Sequence, residues 1–284
     1  MRILYRTTGR AAEYAPYSAN LYTTCPYACD YCYVPSTPPF RTKGLTAADF
    51  HAPPRLKPGA IAQLRKELRR HWPCTGHVLF SFGCDPYAAG PDGKRPLATR
   101  EALFECGLAG AKVAMLTKGG LQAKLDFDLY QYDWWFGETV VFVDDDKMSY
   151  PDCANCPKND GVCLGDDNCP MGGWEPYAAS FADREAALQI ARDNGIHTWV
   201  SLEPVVYTSQ ALEVIDRLLP WVDHWKIGKL NARKPEHKRI EQSQDWPKFL
   251  ADARKLLSSY IEDGDPGEFR PNTYYVKQSL LKAA

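Results

Sequence analysis

The sequence lacks any long hydrophobic run and any strong excess of charge. No stretch approaches about 18 consecutive apolar residues, so no membrane span is predicted. The first residues contain no apolar segment of the kind that a secretory signal needs. The net charge is −1, whereas domains that bind nucleic acid through a basic surface carry a clear positive excess. We therefore expect a cytoplasmic protein with no membrane partner.

The sequence also has no internal repeat and no low-complexity linker. Instead, short β-rich runs alternate with helical patterns, and the predicted strands are residues 17–22, 77–82, 111–117, 138–143, 198–202 and 224–227. Such alternation predicts a parallel sheet with right-handed crossovers. Six strand–helix units suit a partial barrel better than a closed barrel of eight. We predict a single α/β domain, a partial (β/α)6 barrel, over residues 1–284.

The clearest helical pattern lies near the end of the sequence. Apolar residues recur at helical spacing from Trp246 to Tyr260, and Asp245 is placed to cap this helix. We expect residues 245–284 to form a C-terminal helix and tail that pack on the barrel.

Cysteine is abundant although no disulfides are expected. The sequence has ten cysteines and no secretory signal, and clustered cysteines in a reducing compartment more often bind metal or take part in catalysis. Three lie within residues 25–32 and four within 153–169. Residues 149–173 show no periodic pattern, and a loop of this length is functional or disordered. We predict that they form a cysteine-rich, metal-binding insertion.

The first cluster consists of Cys25, Cys29 and Cys32, spaced C-x₃-C-x₂-C directly after the first predicted strand. Three thiolates can bind three irons of a [4Fe–4S] cluster and leave the fourth iron open to another ligand. The alternatives are a zinc site that a distant fourth ligand completes and three cysteines that are unrelated to one another. We expect the iron–sulfur cluster.

The second cluster supplies four further thiols within the insertion: Cys153, Cys156, Cys163 and Cys169. Two interpretations remain open. A second [4Fe–4S] cluster is one of them, and a structural zinc site that organises the insertion is the other. Because only the first two cysteines form a tight C-x₂-C pair, the spacing favours iron–sulfur over a zinc ribbon.

The first cysteine motif resembles that of the radical S-adenosylmethionine (radical SAM) superfamily. Residues 81–87, 116–118, 174–176 and 227–231 are similar to the subgroup that includes spore photoproduct lyase. The resemblance implies a radical SAM barrel whose [4Fe–4S] cluster cleaves S-adenosylmethionine to a 5′-deoxyadenosyl radical. It also implies an electron donor of the flavodoxin or ferredoxin type.

The resemblance implies roles for residues at the ends of the predicted strands. Asp85 is expected to meet the amino group of S-adenosylmethionine, because a carboxylate suits an ammonium. Thr117 and Lys118 end the third strand, and the lysine is expected to face the methionine carboxylate. Three further polar residues are expected to touch ribose, adenine or substrate: Ser201, Glu203 and Asn231.

Cys84 follows the second predicted strand, in the region where spore photoproduct lyase has a cysteine that donates a hydrogen atom. A thiol suits this role because its S–H bond is weak. The alternative is that Cys84 is a small buried hydrophobic residue, as free cysteines usually are.

Three classes of function remain. The first is an enzyme that acts on a modified thymine base or nucleotide in DNA, by isomerisation in the hypermodification of viral DNA (in the host cytoplasm) or by lysis in repair. Aromatic residues expected near its mouth, such as Tyr87, Trp174 and Tyr177, would stack a base. The second is a radical maturase or transferase for a peptide or small metabolite. The third is a non-catalytic, zinc-organised nucleic-acid-binding protein.

Overall fold

A computed structural model describes residues 2–38, 42–71, 76–90, 93, 95–143, 173–263, 265 and 267–284. In these ranges the strands are β1 (Leu4–Arg6), β2 (Tyr17–Ala19), β3 (Val78–Phe80), β4 (Val113–Met115), β5 (Trp135–Thr139), β6 (His197–Val205), β7 (His224–Lys229), β8 (Ile261–Glu262) and β9 (Thr273–Val276). All of them belong to one sheet, ordered β1-β2-β3-β4-β5-β6-β7-β9-β8.

The centre of the sheet is parallel and follows chain order. Strands β2 to β7 pair in parallel with their sequence neighbours, whereas β1 runs antiparallel to β2. These six parallel strands match the predicted partial barrel. Because they run in the same direction, their carboxyl ends lie along one edge, where such folds carry their binding sites.

The helices surround the outer face of the sheet. They are α1 (Ala47–Phe50), α2 (Ala60–His71), α3 (Ala98–Leu108), α4 (Phe181–Asp193), α5 (Thr208–Leu218), α6 (Pro235–Gln242), α7 (Trp246–Leu256) and α8 (Gln278–Leu281). Asp245 caps α7 as predicted, since its carboxylate accepts the N–H of Lys248 at 3.0 Å. None of the described helices has the length and apolar character that crossing a bilayer requires.

Three apolar clusters lie among the described residues, and the first two lie on the two faces of the sheet. The first one packs the outer face against the helices. The second one fills the interior of the barrel, where Trp135 and Trp199 meet Tyr14 and Phe269. Gly137 makes room for this packing, because a Cβ atom there would come within 2.2 Å of the Trp199 indole nitrogen. This second core therefore fills the base of the barrel interior.

Two sequence-based predictions of strands need correction. The strand predicted at 138–143 is β5, which begins at Trp135, because the backbone of Trp135 pairs with both β4 and β6. Residues 140–142 are buried beyond its end. The C-terminal tail also contributes β9, which pairs in parallel with β7 and extends the sheet. Except for Gly173, the predicted insertion at 149–173, with its four cysteines, lies outside the described residues.

Candidate cofactor and substrate site

The first three cysteines lie on the loop that follows β2. Cys25, Cys29 and Cys32 are free thiols and line one cavity of about 130 Å³. Backbone hydrogen bonds fix the loop, since the N–H of Cys32 donates to the Cys29 carbonyl at 2.9 Å and that of Cys25 donates to Phe50 at 2.9 Å. Ala28 adopts a left-handed conformation, with φ +49°, and turns the chain between the first two cysteines. The loop therefore directs its three thiols toward one space.

Burial keeps the three thiols of this cavity protonated. Burial raises the pKa of Cys25 to about 12 and also raises the pKa values of Cys29 and Cys32. Lys118 opposes the rise in the pKa of Cys29. Without a metal the thiols are therefore neutral at pH 7, and iron ions would stabilise their thiolates.

The three thiols share one cavity but do not converge on a single point. Within the described ranges, no three His, Cys, Asp or Glu side chains surround one point at which a metal ion would sit. A structural zinc site needs four ligands around one ion, whereas a [4Fe–4S] cluster takes each thiolate on a different iron. The three thiols share one cavity, and the cluster that they would hold stays a prediction.

Hydrogen bonds and ring stacking join the cysteine loop to Trp174 and Glu175, which follow the insertion. Tyr31, between the second and third cysteines, donates a hydrogen bond from its hydroxyl to Glu175. Its ring stacks on Trp174, and the N–H of Asp30 donates to the Trp174 carbonyl at 2.9 Å. His237 of α6 also stacks on Trp174, and its imidazole lies 2.5 Å from the Asp30 carboxylate. The motif at 174–176 therefore stabilises the cysteine loop through contacts with Asp30 and Tyr31.

Glu175 belongs to a buried charge network. Its carboxylate lies 2.7 Å from the Arg184 guanidinium, and the side chains are 0% and 2% exposed. Arg184 also donates to the carbonyls of Thr139 and Ala179, at 2.7 and 2.9 Å. Glu138 is buried nearby, and neither of its carboxylate oxygens has a hydrogen-bond partner among the residues described. Burial raises the pKa of Glu138 well above its usual range, against the opposing effect of Arg184.

Asp85 and Thr117 join two strand ends. The Asp85 carboxylate accepts hydrogen bonds from the Thr117 hydroxyl (2.7 Å), the Lys118 N–H (2.7 Å) and the Tyr87 N–H (2.9 Å). The Thr117 hydroxyl in turn accepts the N–H of Gly119 at 2.8 Å. Both residues line the cysteine cavity. Protein donors occupy most of the Asp85 lone pairs, so the structure favours a role in which Asp85 holds the turn before Lys118. The predicted contact of Asp85 with the amino group of S-adenosylmethionine stays a prediction.

A larger cavity of about 300 Å³ adjoins the cysteine cavity. Tyr31, Tyr33, Phe82 and Lys118 line both spaces. Ser201, Glu203 and Asn231, predicted from the strand ends, all line the larger cavity. The structure therefore brings Lys118 and these three residues together.

Two residues of this cavity were not found from the sequence. Tyr14 precedes β2, and its hydroxyl donates a hydrogen bond to Glu203. Lys277 directly follows β9 and lies 2.6 Å from Glu203, with its ammonium 3.9 Å from the centre of the Tyr14 ring. No motif marks Tyr14. The β-rich run Thr273–Val276 was a signal for the strand that positions Lys277, but it was assigned to the tail.

Cys84 lies beside the cysteines rather than in the larger cavity. Its side chain is 5% exposed, lines the smaller space and directs its sulfur to the Tyr22 carbonyl at 3.0 Å. Burial raises the pKa of the Cys84 thiol, which therefore stays protonated. A hydrogen-atom donor must reach the substrate, so this position favours the packing interpretation, and the donor role stays a prediction.

The aromatic residues expected at the mouth are largely elsewhere. Tyr87 and Trp174 are completely buried, and exposed Tyr177 lines a different cavity. Tyr87 packs in the outer core, and Trp174 packs in a separate apolar cluster with Phe142, beside Tyr31 of the cysteine loop. Tyr14, Tyr31, Tyr33 and Phe82 supply the aromatic surface of the larger cavity instead.

Comparisons with solved structures agree with this architecture. A cysteine-to-serine variant of spore photoproduct lyase matches with a TM-score of 0.62 at 15% identity, over 98% of this chain and 81% of that one. A variant of the same enzyme with bound AdoMet and dinucleoside spore photoproduct gives 0.60 at 13% identity, over 95% and 78%. SuiB from Streptococcus suis, bound to S-adenosylmethionine, gives 0.54 at 11% identity, over 92% of this chain but about half of SuiB.

Sequence comparisons give no match to a family model or to a curated protein. At 11–15% identity the structural likeness concerns the fold. The predicted partial (β/α)6 barrel and its resemblance to spore photoproduct lyase are confirmed at that level. This chain therefore has the fold of spore photoproduct lyase, with three cysteines at the edge of the sheet where its strands end.

Proposed function

We propose that this chain is a radical SAM enzyme that acts on a modified thymine base or nucleotide. The observation that carries the proposal is the placement of Cys25, Cys29 and Cys32 around one cavity that opens into a second, aromatic one. The likeness to spore photoproduct lyase with bound AdoMet and dinucleoside spore photoproduct supports both the cofactor and the class of substrate.

In this proposal the cysteine cavity binds the cofactors, and the larger cavity binds the substrate. The three cysteines would hold a [4Fe–4S] cluster, which supplies the electron that cleaves S-adenosylmethionine to a 5′-deoxyadenosyl radical. Lys118 has no carboxylate within ion-pair distance in the described part of the chain, so it is available for the methionine carboxylate. Asp85 holds the backbone of this lysine in place.

The larger cavity would receive the substrate. Its tyrosine and phenylalanine rings suit a planar base, and Ser201, Glu203 and Asn231 offer polar groups at its wall. We propose isomerisation of a substituted thymidine as the reaction, with lysis of a thymine photoproduct as the alternative. The two differ in product mass, because isomerisation conserves the mass and lysis splits a dimer.

A second candidate function is the modification of a peptide. SuiB bound to its precursor peptide SuiA matches with a TM-score of 0.54 at 13% identity, and this chain spans about half the length of SuiB. A peptide substrate would have to enter the same larger cavity. Anaerobic incubation with S-adenosylmethionine and either substituted thymidines or peptides, followed by mass spectrometry, separates the two candidates.

The central test replaces one cysteine of the loop. Cys29→Ala should abolish 5′-deoxyadenosine formation under dithionite, because the cluster loses one of its three protein ligands. Cys106→Ala is the matched control, since Cys106 is a buried cysteine of α3 that lines neither cavity. Formation of 5′-deoxyadenosine by the Cys29 variant at the control rate would refute the radical SAM proposal.

Metal analysis of the same preparations assigns the second cysteine cluster. Anaerobically reconstituted protein should contain about eight irons if both clusters are iron–sulfur. About four irons and one zinc would assign zinc to Cys153, Cys156, Cys163 and Cys169. Zinc without iron or sulfide would instead support the non-catalytic, zinc-organised class.

A further inference from the structure

The larger cavity carries an excess of positive charge at its mouth. Its charged side chains are Glu203 and four cations, Arg10, Lys118, Arg233 and Lys277. Two of these cations already have an anionic partner, one in the structure and one in the proposed complex with S-adenosylmethionine. Lys277 pairs with Glu203 at 2.6 Å, and Lys118 is assigned to the methionine carboxylate. Arg10 and Arg233 remain.

These two arginines are held by neutral groups. Arg10 donates to the side-chain oxygen of Asn231 at 2.5 Å, and Arg233 donates to the Ser36 hydroxyl. Among the residues that the structure describes, neither guanidinium has a carboxylate within ion-pair distance. Each of these hydrogen bonds uses only one of the five N–H donors of a guanidinium, so donors remain for a ligand.

The arginines come from distant parts of the sequence and line the same cavity, which also has aromatic residues in its wall. Arg10 lies on the short helix Gly9–Glu13, before β2, and Arg233 lies after β7. The Arg233 guanidinium lies 5.8 Å from the centre of the Tyr33 ring, which is 41% exposed. A cavity lined by aromatic rings and by two guanidinium groups suits a ligand that has a planar part and an anionic part.

S-adenosylmethionine does not provide that anion. Its sulfonium and ammonium groups outweigh its single carboxylate, so it adds positive charge to the cavity. A second ligand with negative charge would balance the two arginines.

We infer that the larger cavity binds a substrate with an anionic group beside its base, and that Arg10 and Arg233 hold this group at the mouth. This inference rests on the proposed function and narrows its substrate class. The anion is a phosphate of a nucleotide or the carboxylate of an amino-acid substituent on the base. A guanidinium recognises both through the same paired hydrogen bonds.

The test compares three probes with the reconstituted protein in the presence of S-adenosylmethionine. Thymidine is the neutral probe, thymidine 5′-monophosphate carries the phosphate, and thymidine with glycine on its methyl carbon carries the carboxylate. We expect one anionic probe to bind at least tenfold more tightly than thymidine in calorimetry, and its identity assigns the anion. Equal affinity for all three probes would overturn the inference.

Substitutions assign the anion to the two arginines. Arg10→Gln and Arg233→Gln should each weaken binding of the preferred anionic probe about tenfold to a hundredfold, the worth of one hydrogen bond between charged groups. Binding of thymidine should stay unchanged. Arg239→Gln is the matched control, because Arg239 is exposed on α6 and lines neither cavity. Equal losses for thymidine and the anionic probe would overturn the assignment.

Two further readouts separate this inference from the proposed function. Formation of 5′-deoxyadenosine by the wild type tests the proposed function, whatever the probes show. Iron content tests a competing role of Arg233, which lies close enough to lower the pKa of the Cys32 thiol against the effect of burial. We expect the Arg233 variant to keep its iron, and a loss of iron would overturn the assignment of Arg233 to the substrate.

Discussion

Replacement of Arg184 by methionine should strongly destabilise the protein. Arg184 is the cation between two buried carboxylates, those of Glu175 and Glu138, and lies 2.7 Å from the first. Methionine keeps much of the volume but removes the charge and the donors to the Thr139 and Ala179 carbonyls. The variant therefore leaves the Glu175 carboxylate and two carbonyls without this donor, and it removes the positive charge near the buried Glu138 carboxyl group.

The magnitude follows from burial. Removal of one partner from a buried ion pair costs about 3–5 kcal/mol in the free energy of unfolding. For a chain of this size, 1 kcal/mol corresponds to about 2 °C in the unfolding midpoint. We therefore expect the Arg184→Met variant to melt about 6–10 °C below the wild type. Circular dichroism of the protein without metal measures this shift independently of cluster loading.

A matched control makes the same substitution at the surface. Arg217 pairs with Glu185 at 3.1 Å, but its side chain is 49% exposed. An exposed pair contributes about 0–1 kcal/mol, so Arg217→Met should lower the midpoint by about 2 °C or less. Equal shifts in the two variants would refute the reasoning that Arg184 compensates buried charge.

Two further substitutions test the barrel. Burial raises the pKa of Glu138, so the stability that this carboxyl group contributes is full below its unfolded pKa and is lost as the pH rises through its folded pKa. The Glu138→Gln variant should therefore lose less thermal stability than the wild type between pH 5.5 and 8. An identical loss in the two proteins would contradict this reasoning. Gly137→Ala places a Cβ 2.2 Å from the Trp199 indole nitrogen and should cost about 1–3 kcal/mol in denaturant unfolding, whereas unchanged stability would show that the interior tolerates the methyl group.

The parts of the site that could be predicted follow directly from local pattern. Ser201 and Glu203 fall on an apolar β-rich run, and Asn231 follows another, so the parallel sheet brings them to one edge. The cysteine loop could be placed for the same reason, because Cys25 comes soon after β2. Asp245 was found because a helix cap is a local feature.

The parts that were missed depend on contacts between distant residues. Tyr14 lies in a segment without periodicity, and only the closed fold brings its hydroxyl to Glu203. The burial of Trp174 behind the cysteine loop depends on α6, which supplies His237. The start of β5 at Trp135 is set by its partners on both sides rather than by its own apolar pattern.

The contacts of Glu203 in the larger cavity have a consequence for folding during synthesis. Tyr14 precedes eight of the nine strands named above, whereas Lys277 follows all of them, yet both contact Glu203. A nascent chain therefore exposes this carboxylate before its ammonium partner has been translated. Contacts at such sequence separation form slowly, because loop-closure entropy is paid before the contact stabilises the fold. Folding intermediates that lack β9 would carry Glu203 without its counter-charge, and the cavity would acquire its final electrostatic balance only when β9 docks.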